Sequence, residues 1–280
     1  MRLYDTGRGE VVDFEPGPTV TMYVCGITPY DATHLGHAAT YVTYDVLQRR
    51  LIDLGHEVRY VSNITDVDDA MLQAAAARDC AEPRATVAIS NIRGLIDTLL
   101  TRGAAYESDG IIFFDTSTPT DFGALAGVGY DRMYEILGAW GEEPDDPRKR
   151  NPLDFVLWQP TAPGEPSWDA RWGNGRPGWH VECSAIALRE FGPTIDLHGG
   201  GIDLLYPHHE SVRVQCEAAT GQPFVRHWLH QSMVHLGGRK MSKSDGNLIF
   251  VHELRDRVEA AAIRLALSIH HYRRPWNWTD

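Results

Sequence analysis

MYVCGITPYDATHLGHAA, the stretch at residues 22–39, decides the fold of this chain. Residues 19–24, which overlap the start of this stretch, are rich in β-branched and aromatic side chains, which predicts a strand. After it, apolar residues recur at helical spacing as far as Gly55, which predicts a helix. A helix that begins directly after a strand has unpaired backbone N–H groups, and these suit phosphate. We therefore predict that His34 and His37, at the helix start, contact phosphate.

The composition is that of a globular protein with a core. The chain has 280 residues, of which 43% are hydrophobic, enough for one large or two modest domains. Its net charge of −12 has the wrong sign for a protein that mainly grips a polyanion. Four scattered cysteines favour a reducing compartment, and no apolar run is long enough to span a membrane. We expect a cytoplasmic protein with no membrane partner.

A second strand follows the first helix. Residues 57–62, EVRYVS, alternate as a strand does, and strand–helix–strand predicts a right-handed parallel unit. The predicted fold is therefore α/β, a doubly wound parallel sheet of the nucleotide-binding type. The acidic side chains of Asp66, Asp68 and Asp69 come directly after this strand. They suit either a metal ion or the first turn of a helix, and the helix is the simpler interpretation.

The middle of the chain has a different pattern. Residues 86–102 carry an apolar stripe that predicts a helix, and residues 104–116 read as two strands around Ser-Asp-Gly, which predicts a hairpin. Residues 117–151 are polar and rich in turn formers, which predicts an exposed excursion. We interpret residues 70–151 as an inserted connective α/β subdomain.

The parallel sheet is expected to resume at DFVLW, residues 154–158. GGGID, residues 199–203, then allows close approach of the backbone to a ligand. This organisation assigns residues 1–69 and 152–250 to the two halves of a catalytic domain. Residues 251–280 are predicted to be a C-terminal helical segment.

Three side chains in the sequence are of the types that bind zinc, although they are too few for a full set of four ligands. Cys25, Cys183 and one histidine of the pair His208–His209 fall at ends of predicted elements, and thiolate with imidazole suits zinc. Their spacing alone is weak evidence, and buried structural cysteines are the alternative.

Two lysines lie in the loop KMSKSDGN. Lys240 and Lys243 alone suggest no more than a solvated surface. Together with HLGH they suit adenylation, because imidazole, lysine and Mg²⁺ neutralise the triphosphate as pyrophosphate leaves.

HLGH and KMSKS resemble the two signatures of class I aminoacyl-tRNA synthetases. More narrowly, the ordered motifs MYVCG, NITDVDD, GRPGWHVECSA, DLHGGGIDL, PHHE and KMSKS resemble the cysteine-activating branch over nearly the whole chain. Within it, CGITPYDATHLGHAATY and EEPDDP are most similar to the mycothiol ligases, which join cysteine to the amino sugar glucosaminyl-inositol. The resemblance implies a Rossmann-like class I catalytic domain and ATP with Mg²⁺ as substrate.

The resemblance also implies roles for individual residues. Cys25, Cys183 and His208 would hold one Zn²⁺, whose open position takes the thiolate of the substrate cysteine. The positions expected to contact the amino acid, ATP or the adenylate are Gly26, Thr28, His34, His37, Thr65, Trp179, Gly199, Gly200, Gly201, Asp203, Lys240 and Lys243. Of these, His34, His37, Lys240 and Lys243 would act on the triphosphate and carry catalysis.

Two departures from the branch matter. Val212 stands where cysteinyl-tRNA synthetases carry a fourth zinc ligand, a glutamate, which favours a three-ligand site of the mycothiol-ligase type. The segment between Asp69 and Thr86 is shorter than in either relative, which bears on the acceptor side of the site.

Three hypotheses follow. The first is an ATP-dependent cysteine ligase that is a monomer and acts on small molecules: L-cysteine, ATP and an amino-sugar acceptor. The second is a cysteinyl-tRNA synthetase, disfavoured by the net charge of −12 and by a chain that ends at Asp280, soon after KMSKS. The third is an idle binding module, which would be expected to have eroded motifs.

Overall fold

The computed structural model describes residues 1–27, 32–65, 88–241 and 246–279. Several predicted features lie outside these ranges. They are the contacts Thr28 and Lys243, the acidic side chains Asp66, Asp68 and Asp69, and the shortened segment.

The chain forms two compact units. The first comprises Met1–Ser62, Asp196–Leu204 and His227–Asp280, and the second comprises Asn63–Ile195 and Leu205–Arg226. The predicted division into a catalytic domain in two halves, an inserted subdomain and a C-terminal segment stays a prediction.

The first unit is built on a parallel pair of strands. Its elements are β1 (Arg2–Asp5), β2 (Glu10–Asp13), β3 (Thr19–Ile27), α1 (Leu35–Asp53), β4 (Glu57–Ile64), β9 (Ile195–Gly201), β10 (Val225–Gln231), β11 (Val234–Leu236), β12 (Arg239–Lys240), α6 (Val251–Arg255), α7 (Ala260–Ser268) and β13 (Trp276–Trp278). The main sheet has the order β10-β9-β3-β4, and β3 runs parallel to β9 with Met22 opposite Leu197. The predicted α/β fold with its strand–helix–strand beginning is confirmed.

The β-branched and apolar run of β3 is buried because both faces of the strand are covered. Val20, Met22 and Val24 lie on one face and pack in one cluster with residues of α1, and Tyr23, on the other face, is also fully buried. Continuous burial of this kind is typical of a strand inside a parallel sheet. It fixes the end of β3, where Cys25 and Gly26 lie.

The end of the chain is less helical than predicted. α6 and α7 are separate helices, and the chain then returns as β13, which pairs in parallel with β11. Leu254 of α6 and Ile263 of α7 pack against Leu35 at the start of α1. The last residues therefore stabilise the helix start that carries His34 and His37.

The second unit has its own antiparallel sheet. Its elements are α2 (Ile89–Thr101), β5 (Ala105–Ser108), β6 (Ile111–Phe114), α3 (Tyr130–Ala139), β7 (Phe155–Gln159), β8 (Arg176–Pro177), α4 (Trp179–Phe191) and α5 (Glu210–Thr220), with a π-helical turn, Leu205–His209, directly before α5. The strand order is β5-β6-β7-β8 and every neighbour is antiparallel. The hairpin predicted around Ser-Asp-Gly is present, with Asp109 and Gly110 at positive φ.

Two predictions in this region are wrong. DFVLW does not resume the parallel sheet, because it forms β7, which pairs with β6 and β8. An apolar run predicts that a strand is buried but does not identify its partner strand. The stretch 117–151 is not wholly an exposed excursion. It contains α3, whose Met133 and Leu137 are buried against Leu153 and Tyr206.

Candidate active site

His34 caps the helix that follows β3. Its backbone is extended, and its Nδ1 accepts a hydrogen bond of 3.1 Å from the backbone N–H of Gly36. A Cβ at Gly36 would lie 2.9 Å from Cε1 of the His34 ring. The HLGH motif therefore has a local reason: Leu35 is buried as an anchor, and Gly36 leaves space for the capping imidazole.

His37 stacks on His34, with ring centroids 3.7 Å apart. Burial, and secondarily the neighbouring His34, lower the pKa of His37 to about 4, against the opposing charge of Asp203. Within the described residues, the buried Nδ1 of His37 has no hydrogen-bond partner. At neutral pH this side chain is therefore an uncharged imidazole, able to contact a phosphate by a hydrogen bond rather than as a cation.

Asp203 and Lys240 join the two histidines in the first unit. The Nζ of Lys240 lies 3.3 Å from Oδ2 of Asp203, and both side chains are partly exposed. Four of the predicted nucleotide contacts, His34, His37, Asp203 and Lys240, thus gather in one unit. The lysine that is predicted to meet a triphosphate is paired with a carboxylate in this structure.

The glycines of GGGID have packing reasons of their own. A Cβ at Gly199 would lie 1.9 Å from Oη of Tyr44 and 2.2 Å from the carbonyl oxygen of Leu229. A Cβ at Gly201 would lie 2.5 Å from Oδ1 of Asp203. Their contacts with adenosine stay predictions, as does that of Gly200, whose carbonyl accepts a hydrogen bond from the Tyr44 hydroxyl.

Cys25 is buried near the end of β3, next to a histidine that the sequence did not single out. His198 lies on the neighbouring β9, opposite Tyr23 in the register. The sulfur of Cys25 and a ring nitrogen of His198 lie within 4.8 Å of each other. No sequence pattern relates these two positions; only the pairing of β3 with β9 does.

Cys183 and His208 form a similar pair in the second unit. Cys183 lies in the second turn of α4, His208 lies in the π-helical turn before α5, and their ligand atoms are within 4.8 Å of each other. Both side chains are buried. Trp179, at the start of α4, stacks on His208 with ring centroids 4.5 Å apart.

His180 holds the ring of His208, and sequence reasoning missed it. The two Nδ1 atoms are 2.9 Å apart, so one must donate and the other accept. Burial, and secondarily His208, lower the pKa of His180 well below its usual value. His180 is therefore neutral at physiological pH.

The donor atoms in both units fit zinc. A tetrahedral zinc ion holds sulfur at about 2.3 Å and nitrogen at about 2.1 Å, so the two ligands lie about 3.6 Å apart, which both pairs can reach. Position 212 offers a buried valine and no carboxylate. Glu210, the nearest acid in α5, accepts hydrogen bonds from Arg213 and from the backbone of Ala126 instead.

Thr65 lies in the second unit and is buried, where its hydroxyl accepts a hydrogen bond of 3.0 Å from Asn63. Its predicted role at the amino acid stays a prediction, together with those of Gly26 and Trp179. The described cysteines, which are Cys25, Cys183 and Cys216, form no disulfide with one another. No helix within the described ranges is both long and apolar enough to cross a membrane.

Comparison with known families adds an independent observation. The model of the family "tRNA synthetases class I (C) catalytic domain" matches residues 12–81 and 76–280. The chain belongs to this family. The match contains both motifs, HLGH and KMSKS.

Curated relatives are similar over the whole chain. Proteins named "L-cysteine:1D-myo-inositol 2-amino-2-deoxy-alpha-D-glucopyranoside ligase" from Streptosporangium roseum and Nocardiopsis dassonvillei are each 46% identical over 100% of this chain and 75% of their own length. A ligase of the same name from Thermobispora bispora is also 46% identical, over 76% of its length. This member of the class I synthetase family thus groups with cysteine ligases.

Solved structures show the same fold. The Mycobacterium tuberculosis methionyl-tRNA synthetase in complex with methionyl-adenylate superposes with a TM-score of 0.67 at 17% identity, covering 94% of this chain and 66% of that one. A putative arginyl-tRNA synthetase from Campylobacter jejuni gives a TM-score of 0.55 at 12% identity, covering 92% and 65%. The class I synthetase fold expected from the sequence is confirmed.

Proposed function

We propose that this chain is an ATP-dependent ligase that activates L-cysteine as cysteinyl-adenylate and transfers it to the amine of glucosaminyl-inositol, forming an amide in mycothiol biosynthesis. The observation that carries the proposal is 46% identity over the full chain to ligases of that name. The protein would act in the cytoplasm as a monomer on small molecules, without tRNA.

Adenylation needs groups that stabilise the leaving pyrophosphate. A carboxylate oxygen of cysteine attacks the α-phosphorus of ATP, which is bound with Mg²⁺, and the bond to the pyrophosphate oxygen breaks. His34 and His37 would donate hydrogen bonds to the triphosphate, and Lys240 and Lys243 would neutralise its charge. The ion pair between Lys240 and Asp203 would exchange for the phosphate contact.

Recognition of cysteine would rest on zinc. Cys25, Cys183 and His208 would hold the ion, which when bound offers an open position that a thiolate fills and a serine hydroxyl fills poorly. His180 would keep the ring of His208 oriented, since its Nδ1 is 2.9 Å from that of His208. Thr28, Thr65 and Trp179 would orient the amino and carboxylate groups of cysteine.

Transfer completes the reaction. The acceptor nitrogen attacks the acyl carbon, the bond to the AMP oxygen breaks, and the nitrogen loses a proton to leave an amide and AMP. Gly26, Gly199, Gly200, Gly201 and Asp203 would line the adenylate during this step.

Cysteinyl-tRNA synthetase is the second candidate, because the matching family model describes tRNA synthetases. The test supplies cysteine, ATP and Mg²⁺ with either glucosaminyl-inositol or tRNA, and measures pyrophosphate exchange, AMP and the acyl product. We expect cysteine-dependent exchange and an amide only with the amino sugar. A product formed only with tRNA would establish the second candidate, and exchange without cysteine dependence would exclude both.

A further inference from the structure

Trp140 is an exposed tryptophan held in a fixed place at the end of α3. Its backbone N–H bonds to the carbonyls of Ile136 and Leu137, yet 41% of the residue is exposed. Its ring lies nearly parallel to that of Trp179, with centroids 5.5 Å apart. Trp179 stacks on His208 in turn. Within the second unit, a row of stacked rings therefore connects the exposed ring of Trp140 with His208, a proposed zinc ligand at the cysteine end of the site.

Two buried polar atoms of the second unit have no hydrogen-bond partner among the described residues. Tyr206 is 6% exposed and packs against Leu137, and its hydroxyl has no hydrogen-bond partner in the described parts of the chain. The Nζ of Lys149 is likewise buried, with no such partner among the described residues. An unpaired buried donor is costly, so each calls for an acceptor that the described residues do not supply.

Glu142 relates these atoms to one another. It lies two residues after Trp140, and its backbone N–H bonds to the carbonyl of Leu137. Burial lowers the pKa of Lys149, and Glu142 is the carboxylate that most opposes this shift. The Tyr206 ring packs against Leu137, the same residue whose carbonyl accepts the backbone hydrogen bond from Glu142.

We propose that Trp140, Glu142, Lys149 and Tyr206 form the subsite that binds the sugar part of the amine acceptor. Two donors, one carboxylate acceptor and an aromatic plane are the chemistry that recognises a polyhydroxylated amine. Its hydroxyl oxygens accept from Tyr206 and Lys149, a hydroxyl or ammonium donates to Glu142, and its apolar ring face or cationic group covers Trp140. The inference rests on the proposed function, because it names the acceptor side of the same site.

The test measures binding of glucosaminyl-inositol by titration calorimetry, together with its KM in amide formation. For Tyr206→Phe we expect acceptor affinity to fall about three- to tenfold, the value of one hydrogen bond, while the Tm stays equal or rises. For Trp140→Ala and Glu142→Gln we expect a larger loss. Glu143→Gln, which removes a neighbouring exposed carboxylate, is the matched control and should bind as the parent does.

The outcomes separate the two proposals. Parent-like affinity in Tyr206→Phe and Glu142→Gln would overturn the subsite and mean that water satisfies the buried atoms. A parent that forms the amide but binds the sugar independently of these residues has the function without the subsite. A parent that binds the sugar through them but shows no cysteine-dependent pyrophosphate exchange has the subsite without the function. A parent that does not bind the sugar at all overturns the subsite.

Discussion

At the scale of single residues, the lowered pKa of His37, at the start of α1, has a measurable effect on the stability of the protein. Its pKa in the folded chain is about 4, below the ordinary value of 6.5, chiefly because it is buried. Between these two pH values the unfolded chain binds a proton that the folded chain does not. The free energy of unfolding therefore falls as the pH drops through this window and levels off below it.

We predict that His37→Gln, which keeps an N–H donor but does not titrate, reduces this pH dependence. Urea unfolding at intervals between pH 6.5 and 4 should show a smaller loss of stability in the variant than in the parent. Other histidines also contribute, so the difference between the two proteins is the quantity that reports on His37. A His37 signal that titrates near 6.5 by NMR would contradict the prediction.

Substitution of single cysteines tests which of them bind zinc. We predict that Cys25→Ser and Cys183→Ser each lower the zinc content well below one ion per chain, because a hydroxyl is a poor zinc ligand. Elemental analysis of the purified proteins measures this. Cys216→Ser is the matched control, since Cys216 is equally buried, its thiol donates to the carbonyl of Ser184, and it belongs to neither group of candidate metal ligands among the described residues. Equal zinc in all three variants would remove both cysteines from the site.

At the scale of elements, the guanidinium of Arg213 makes a buried ion pair within α5 and also contacts the loop after β6. The Glu210 side chain is fully buried, and its carboxylate lies 2.6 Å from the Arg213 guanidinium. The same guanidinium contacts Asp121 in the loop and Glu217 one turn along α5, each at 2.9 Å. These contacts hold the segment that directly follows His208.

We predict that Arg213→Met destabilises the protein by about 3–5 kcal/mol, because Glu210 is left as an unpaired buried charge. Adding Glu210→Gln should recover part of the loss. Arg132→Met is the control: its partner Glu135 is exposed, so the cost should stay below about 1 kcal/mol. A loss in Arg213→Met no larger than in the control, measured by urea unfolding, would refute the role of the pair.

The sequence predicted elements well where the signal is local. The strand Thr19–Ile27 and the helix Leu35–Asp53 follow from β-branched residues and from helical spacing, and the cap at His34 explains HLGH. Prediction from the sequence failed where contacting residues lie far apart along the chain. No pattern in DFVLW identifies β6 as its partner strand, and no pattern near Cys25 identifies His198 as its neighbour. It missed α3 because a polar background hides the two buried residues Met133 and Leu137, and it missed Trp140 for the same reason.

At the scale of the whole molecule, charge bears on the choice of acceptor. A net charge of −12 repels a polyanion, and a tRNA ligand would need basic contacts that release counterions. We predict no saturable binding of tRNA at about 0.15 M salt, the physiological ionic strength. Filter binding against an authentic cysteinyl-tRNA synthetase measures this, and submicromolar binding that weakens steeply with salt would contradict it.

The pair of indoles at Trp140 and Trp179 also has an optical consequence. Rings 5.5 Å apart and inclined by 28° couple their electronic transitions, which gives a circular dichroism couplet that isolated tryptophans lack. The imidazole of His208, 4.5 Å from Trp179, lies close enough to influence the emission of that indole. The second unit therefore contains its own pair of chromophores. Changes at Trp140 or at His208 can be followed by circular dichroism or tryptophan emission without any label.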